Sequence, residues 1–443
     1  MTKPSGANPP RLLLVYASTA LLFTASAVIG FGECSFSQWV LAVILFSITG
    51  GILVLSTAFA WRRATFSASL VMFIFVSGVV FRFLTLQTGR ELSDDAARYH
   101  WDGKVLSSGI NPYPFSPDDL AVRHLWIHPI DMNINHPEVR TVYPPLAEIL
   151  FAVGYLLSPG RLFGFQLLCL LAELGTWMVL WRELPRRNLP RAYLVLAVWS
   201  PLLLFQGYLP GHVDLLGLPF VTLFFIAAQR KNPWQSGLFL GLACLIKPLP
   251  LIFLPATVKE MGMRRSAGMI GMLLLTLVVF YLPFIDAGEH LFSSMWLMAT
   301  KWSVNSSVSG LLEMVFPMTA AHIISSVLLI VLLIGSLFWS RDFLSRMLMA
   351  CAAFIICTST LFPWYLAWVV PFLVLRPDPA LLSLTVTAAL FEEVTVGYNT
   401  TGDWVPALWP RLIEYTVFYL LLFLSARRRW GMFQDTGSVM GSR

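Results

Sequence analysis

Long apolar runs separated by short polar breaks dominate the chain. A bilayer-crossing helix needs about 20 mostly apolar residues. Such runs stand at 12–30, 38–60, 66–86, 164–181, 192–208, 214–229, 266–285, 319–340 and 409–425. Three further apolar stretches are interrupted: 234–258 by Lys247-Pro248, 346–375 by Pro363 and 378–392 by Pro379. Proline removes a helix hydrogen bond and clashes with the preceding turn, so the first two read as broken hairpins of two short arms. The pattern predicts an all-α polytopic membrane protein, a single integral-membrane domain over 1–443 with about 12–14 transmembrane segments, some short or broken.

Composition agrees. Only 12% of residues are charged against 57% hydrophobic, with mean hydropathy +0.72. A soluble domain carries roughly 25% charged residues, so a soluble enzyme, a disordered chain and an ordinary nucleic-acid binder are excluded. Four of the five cysteines lie in apolar runs and Cys34 is alone in its loop, which implies neither a disulfide framework nor a metal site. The first run has a basic flank and an Ala25-Ser26-Ala27 resembling a cleavage site. With so many spans following, it reads as a retained helix.

Lys and Arg report orientation, because cytoplasmic loops hold them in excess. Starting from a cytoplasmic N-terminus, alternation puts Lys3, Arg62 and Arg63, the arginines of 182–191, Arg230, Lys231, Arg264, Arg265, Arg341 and Arg427–Arg429 inside. The rule holds only if 144–159 lies on the outer surface instead of crossing. The outer loop then runs over 87–161, with a second outer loop at 286–308 and a cytoplasmic tail at 430–443. The expected location is the inner (plasma) membrane, with both termini cytoplasmic.

The long outer loop holds the candidate chemistry. Ser93 is placed to cap a helix that Gly109 and Asn111-Pro112 end. On that helix Asp94, Arg98 and Asp102 follow at i, i+4, i+8 along one face, with Asp95 and Tyr99 beside them. The loop closes on Asn135-His136-Pro137-Glu138 and on Tyr143-Pro144-Pro145-Leu146, a rigid start to an amphipathic surface helix. His124, His128 and His136 are spaced 4 and then 8 apart, which matches no zinc pattern.

These residues resemble a family. The Asp94-Asp95 pair after an early span, Arg98-Tyr99, Trp101-Asp102-Gly103, Gly109-Ile110-Asn111-Pro112-Tyr113 and Tyr143-Pro144-Pro145-Leu146 look like GT-C glycosyltransferases. The likeness is greatest to bacterial polyprenol-phosphate-mannose mannosyltransferases. Later segments agree: Gly211-His212-Val213-Asp214, Leu245-Ile246-Lys247-Pro248, Trp302-Ser303-Val304-Asn305-Ser306-Ser307 and Phe362-Pro363-Trp364-Tyr365-Leu366. The resemblance spans about residues 70–376. It implies transfer of a hexose, mannose favoured, from a polyprenyl-phosphate donor to a lipid or glycan acceptor on the periplasmic face, with inversion. It also implies that a first-loop acid, Asp94 or Asp95, sits beside the reacting centre. Some relatives hold a divalent metal (Mg or Mn) through such acids and others need none.

A polyprenyl-phosphate sugar already has a good leaving group. Its transfer needs a carboxylate to deprotonate the acceptor hydroxyl and cations to stabilise the departing phosphate. Candidates for substrate and phosphate binding are Arg98, Lys247 at the tip of a broken hairpin, Lys301, and His212 with Asp214 in a short turn. Trp302, Asn305, Trp364 and Tyr365 are candidate cavity residues. Glu173 falls mid-span, where a carboxyl is costly unless paired, and is expected to face the helix bundle and serve structure. Two other classes fit parts of the pattern. A transporter or lipid-glycan flippase would also want broken helices and basic tips. An O-antigen-type polymerase or ligase would rely on Arg and His in a later loop.

Overall fold

The structure, a computed structural model, describes residues 9–64, 66–86, 92–340 and 342–440, with side chains as far as 427. Lys3 and Arg341 lie outside the described residues, as do the first positions of the long loop and the last three of the tail.

The regular elements among the described residues are all helical, without strands; a lone bridge joins Val304 to Thr360. Three long helices come first: α1 (Pro9–Phe31), α2 (Phe36–Ala60) and α3 (Ala68–Thr85). Ser35 and Gln38 form a reciprocal capping box at the start of α2, and Ser67 caps α3. The long loop then contributes α4 (Asp95–Ser107) and α5 (Pro145–Leu157). At 13 residues α5 spans only about 20 Å, too short to cross a bilayer, and it packs between α4 and α6 (Phe163–Arg186).

The 192–208 run is irregular. A short α7 (Val195–Val198) gives way at Pro201 to a π-helical segment, Leu202–Tyr208, and Gly211 turns the chain into α8 (Asp214–Gln229). The first interrupted stretch is two arms, α9 (Pro233–Cys244) and α10 (Leu254–Met261), meeting at Lys247-Pro248. Next come α11 (Met263–Tyr281), α12 (His290–Lys301), α13 (Val308–Glu313) and α14 (Met318–Trp339). The second interrupted stretch is α15 (Phe343–Cys357), an extended break at 358–362, a 3-10 turn Pro363–Val369 and α16 (Val370–Leu375). The chain ends through α17 (Pro379–Thr387), α18 (Glu393–Thr401) and α19 (Leu408–Met440). Among the described residues, eight helices are long and apolar enough to cross a membrane. Shorter apolar helices stand at Asp214–Gln229, Phe343–Cys357 and Pro363–Leu375.

Glu173 is buried, as its mid-span position requires, and Arg82 is its partner. Nε and Nη2 of Arg82 donate to the two carboxylate oxygens at 2.6 and 2.5 Å, and both side chains are fully buried. Arg82 Nη1 donates to the carbonyls of Gly78 and Val198, and its guanidinium lies 4.6 Å from the Trp177 ring. The pair ties α3 to α6 and to the start of the irregular segment. At the other end of α6, Glu183 holds Arg186, Arg187 and Arg230.

Candidate active site

The site begins with the folding of the long loop. Residues 96–105 of α4 are all buried, although they include Arg98, His100, Asp102 and Lys104. Each of these buried polar groups has a partner. Arg98 Nε donates to Asp102 at 2.9 Å and Arg98 Nη1 to the Val139 carbonyl at 2.7 Å. Lys104 pairs with Asp131, which also accepts the backbone N–H groups of Ile127 and His128. Against the opposing effect of burial, the His100 side chain, the Lys104 ammonium and the His128 backbone N–H hold Asp131 well below the usual carboxylate range. His100 Nε2 accepts from the Gly160 N–H. Gly103 lets α5 approach: a Cβ there would lie 2.2 Å from the Phe151 carbonyl oxygen. The face expected along Asp94, Arg98 and Asp102 is thus divided, with Arg98 and Asp102 turned inward on each other and Asp94 turned to the helix's N-terminal end.

At that end stand the two aspartates. Ser93 Oγ accepts the Asp95 N–H at 3.2 Å, but the N-cap position is Asp94, which makes no side-chain cap bond, so the expected Ser93 cap is displaced by one residue. One amide nitrogen, Asn135 Nδ2, donates to Asp94 Oδ1 at 2.8 Å and to Asp95 Oδ1 at 3.1 Å. Tyr398 Oη from α18 donates to Asp94 Oδ2 at 3.2 Å. Burial raises both carboxyls. Asp95 is pushed up to about 6, first by burial and then by the neighbouring Asp94 charge.

The broken spans bring the remaining groups to the same place. Lys247 Nζ lies 3.0 and 3.1 Å from the two oxygens of Asp214 and 3.6 Å over the Tyr365 ring. Trp368 Nε1 donates to Asp214 at 2.6 Å, its ring packed close against Gly217, where a Cβ would meet it at 1.9 Å. His212 stacks on Trp364 with ring centres 3.6 Å apart, and its Nδ1 lies 3.8 Å from Asp95 Oδ2. Phe362 also stacks on Trp364, with ring centres 4.6 Å apart. The Val304–Thr360 bridge fixes Trp302 beside this break, against the His136 ring at 5.1 Å.

Two adjoining cavities meet here. The inner one, about 150 Å³, is lined by Asp95, Arg98, Arg140, Lys247, Tyr365 and the α12 methionines Met295 and Met298, among others. The outer one, about 330 Å³, is lined by both aspartates, Lys301, Trp302, Tyr398 and Trp404, among others. Asp95, Asn135, His136, Trp302, Phe362 and Trp364 line both. The structure therefore brings together Asp94, Asp95, Arg98, His212, Asp214, Lys247, Lys301, Trp302, Trp364 and Tyr365. Asn305 stands apart: its Nδ2 donates to Glu414 and its carbonyl accepts from Tyr415, a clamp onto α19. Among the described residues, His, Cys, Asp and Glu form no group of three that would hold a metal. His136 is at the cavities, while His128 packs against His100 in the loop core.

Asn135, Tyr398, Trp404 and Trp368 were not expected. Asn135 gave a signal of position only, in the segment that closes the loop. Tyr398 is 304 residues from Asp94, and nothing local in the sequence ties it or Trp404 to the site.

Fold and site together define a polytopic membrane protein with a carboxylate pair between a cationic cavity and an aromatic one. The chain belongs to glycosyltransferase family 87, whose model matches residues 141–391. Residues 16–263 also match the model of the α-(1→6)-mannopyranosyltransferase N-terminal domain. No curated protein and no solved structure matches the chain. It is thus a GT-C-type polytopic glycosyltransferase, and the two families support a mannosyltransferase. This sets aside the transporter, flippase and polymerase or ligase readings. Both models cover His212, Asp214 and Lys247, whereas the aspartate pair falls in the second alone and Trp302, Trp364 and Tyr365 in the first alone.

Proposed function

We propose that the protein moves a mannosyl residue from a polyprenyl-phosphate donor to a hydroxyl of a lipid or glycan acceptor at the periplasmic face of the inner membrane, with Asp95 as the base. The observation that carries this reading is the position of Asp95 as the carboxylate lining both cavities. Asp94 lines only the outer one of the two.

The inner cavity has the character of a donor site. Lys247, Arg98 and Arg140 supply positive charge, and the neighbouring α12 residues Met295, Leu297 and Met298 offer apolar surface toward the lipid tail. Arg98 lines this cavity with its guanidinium held in place by Asp102 and the Val139 carbonyl. Asp214 and the Tyr365 ring hold the Lys247 ammonium at the cavity wall.

In the proposed step the acceptor oxygen attacks the anomeric carbon of the donor from the outer cavity. The acceptor proton passes to Asp95 as the new C–O bond forms. The bond from the anomeric carbon to the phosphate oxygen breaks, and its electron pair leaves with polyprenyl phosphate, which gains one negative charge beside Lys247 and Arg98. Attack and departure on opposite faces invert the anomeric centre, so a β-linked donor gives an α-linked product. Asp94 and Asp95 are the residues that would hold a divalent Mg or Mn ion, were the reaction to use one. Such an ion would neutralise charge on the phosphate.

The test is transfer by the purified protein in nanodiscs. Labelled decaprenyl-phosphate mannose, glucose and arabinose would each be offered with a membrane lipid extract, with and without EDTA. Mannose transfer from its donor alone is the expected result. Absence of transfer from every polyprenyl-phosphate donor, with transfer from a nucleotide sugar instead, would overturn the reading.

A further inference from the structure

The outer cavity does not end at Asp94. A further cavity of about 320 Å³ lies beyond it, and Ser93, Asp94, Tyr398 and Trp404 line both. The continuation adds Asn133, at the end of a 3-10 turn of the long loop, and Asn399 of α18. Each of the two cavities is at the lower end of the roughly 300–1,000 Å³ of ligand pockets. The space near the base is thus one unit of a longer channel leading away from the cationic cavity.

The walls of the continuation indicate what fits. Trp404 is fixed by its neighbours, lying edge-on to Tyr398 with centres 5.2 Å apart and 6.1 Å from the Phe391 ring. Such an aromatic face packs against the C–H face of a sugar ring. Asn133 and Asn399 are exposed, and neither amide has a side-chain hydrogen bond among the described residues. Each amide offers two donors and an acceptor, which suits neighbouring hydroxyls of a saccharide. An acyl chain lying there would desolvate both amides without giving them partners.

We propose that this continuation is a second sugar subsite. The acceptor is then a glycan of at least two units, its terminal sugar beside Asp95 and its penultimate sugar between Trp404, Asn133 and Asn399. The inference rests on the assignment of the inner cavity to the donor.

The test uses the nanodisc protein with labelled donor and octyl glycosides bearing one, two or three mannose units. KM is expected to fall about tenfold from one unit to two, the worth of one or two hydrogen bonds with a ring contact, and to level off at three. The double variant Asn133→Ala, Asn399→Ala, and separately Trp404→Ala, should bring the ratio of the one-unit to the two-unit KM close to one. A KM independent of acceptor length, or variants that raise KM equally for all lengths, would overturn the subsite. If no acceptor is glycosylated, the donor assignment fails on its own. Calorimetric titration of the free disaccharide then decides the subsite: binding that the double variant weakens supports it, and no binding overturns it.

Discussion

A single amide nitrogen, Asn135 Nδ2, is shared by the two carboxylates, reaching Asp94 at 2.8 Å and Asp95 at 3.1 Å. Those hydrogen bonds favour the ionised forms and oppose the burial that raises both groups. Removing them in Asn135→Ala should shift the acid limb of kcat/KM to higher pH. It should also lower kcat at neutral pH about tenfold, the worth of one hydrogen bond to a charged group. The pH–rate profile of the variant checks both effects, and an acid limb that stays in place would show that Asn135 does not set the ionisation of the pair.

Asp94→Asn should move that limb the other way. Asp95 must be ionised to accept a proton, so activity falls as pH drops through about 6. The Asp94 charge is the second cause of that raised value after burial. Replacing it with a neutral amide lowers the Asp95 pKa, and the acid limb moves to lower pH. The same linkage acts on stability. A carboxyl whose pKa is raised in the folded state favours folding at low pH and costs stability as pH rises through the folded value. Asp95→Asn is therefore expected to melt higher than wild type above pH 6 while losing transfer, a combination that simple misfolding does not produce.

Lys247 depends on a chain of contacts that runs through Asp214 and Trp368 to Gly217. Lys247→Met should lower kcat about 10²–10³-fold, the range for losing one preorganised charge-stabilising donor. Gly217→Ala should act at a distance, because its methyl displaces the Trp368 ring and with it the group that orients Asp214. The expected outcome is a smaller fall in kcat with a lowered melting temperature. Unchanged kinetics in Gly217→Ala would mean that Trp368 does not position the lysine.

The Arg82–Glu173 pair is fully buried and unconnected to the cavities, so its substitution should affect stability and leave the chemistry intact. Glu173→Leu leaves the arginine without its counter-ion and is expected to cost about 3–5 kcal/mol. Arg82→Met together with Glu173→Leu should recover most of that loss, as measured by thermal unfolding in detergent. Failure of the double variant to recover would show that the carbonyls of Gly78 and Val198 need the guanidinium.

Much of this was legible from local chemistry. The apolar runs set the spans, and prolines marked the breaks at Lys247 and Pro363. The acid pair stood out because two carboxyls beside a span end need a reason. Glu173 was legible as buried, since its position left no alternative, but its partner was not. Arg82 sits near the end of its own span and resembles an interface anchor until the fold brings α6 beside it. Asn305 belonged to a polar run next to Trp302, yet its amide is taken by Glu414 of α19, a contact 109 residues away that local pattern does not encode. Tyr398, Trp404 and Asn135 reach the site only because α18 and the long loop fold over the same end of the bundle.

The central claim is that Asp95, where the two cavities meet, removes the acceptor proton. The most direct measurement is single-turnover transfer of labelled mannose from decaprenyl-phosphate mannose by Asp95→Asn and Asp94→Asn, with donor binding measured in the same nanodiscs. Loss of about 10²–10⁴-fold in Asp95→Asn, with donor binding retained and a much smaller loss in Asp94→Asn, is the predicted result. Wild-type transfer by Asp95→Asn, or the larger loss in Asp94→Asn, would contradict the assignment.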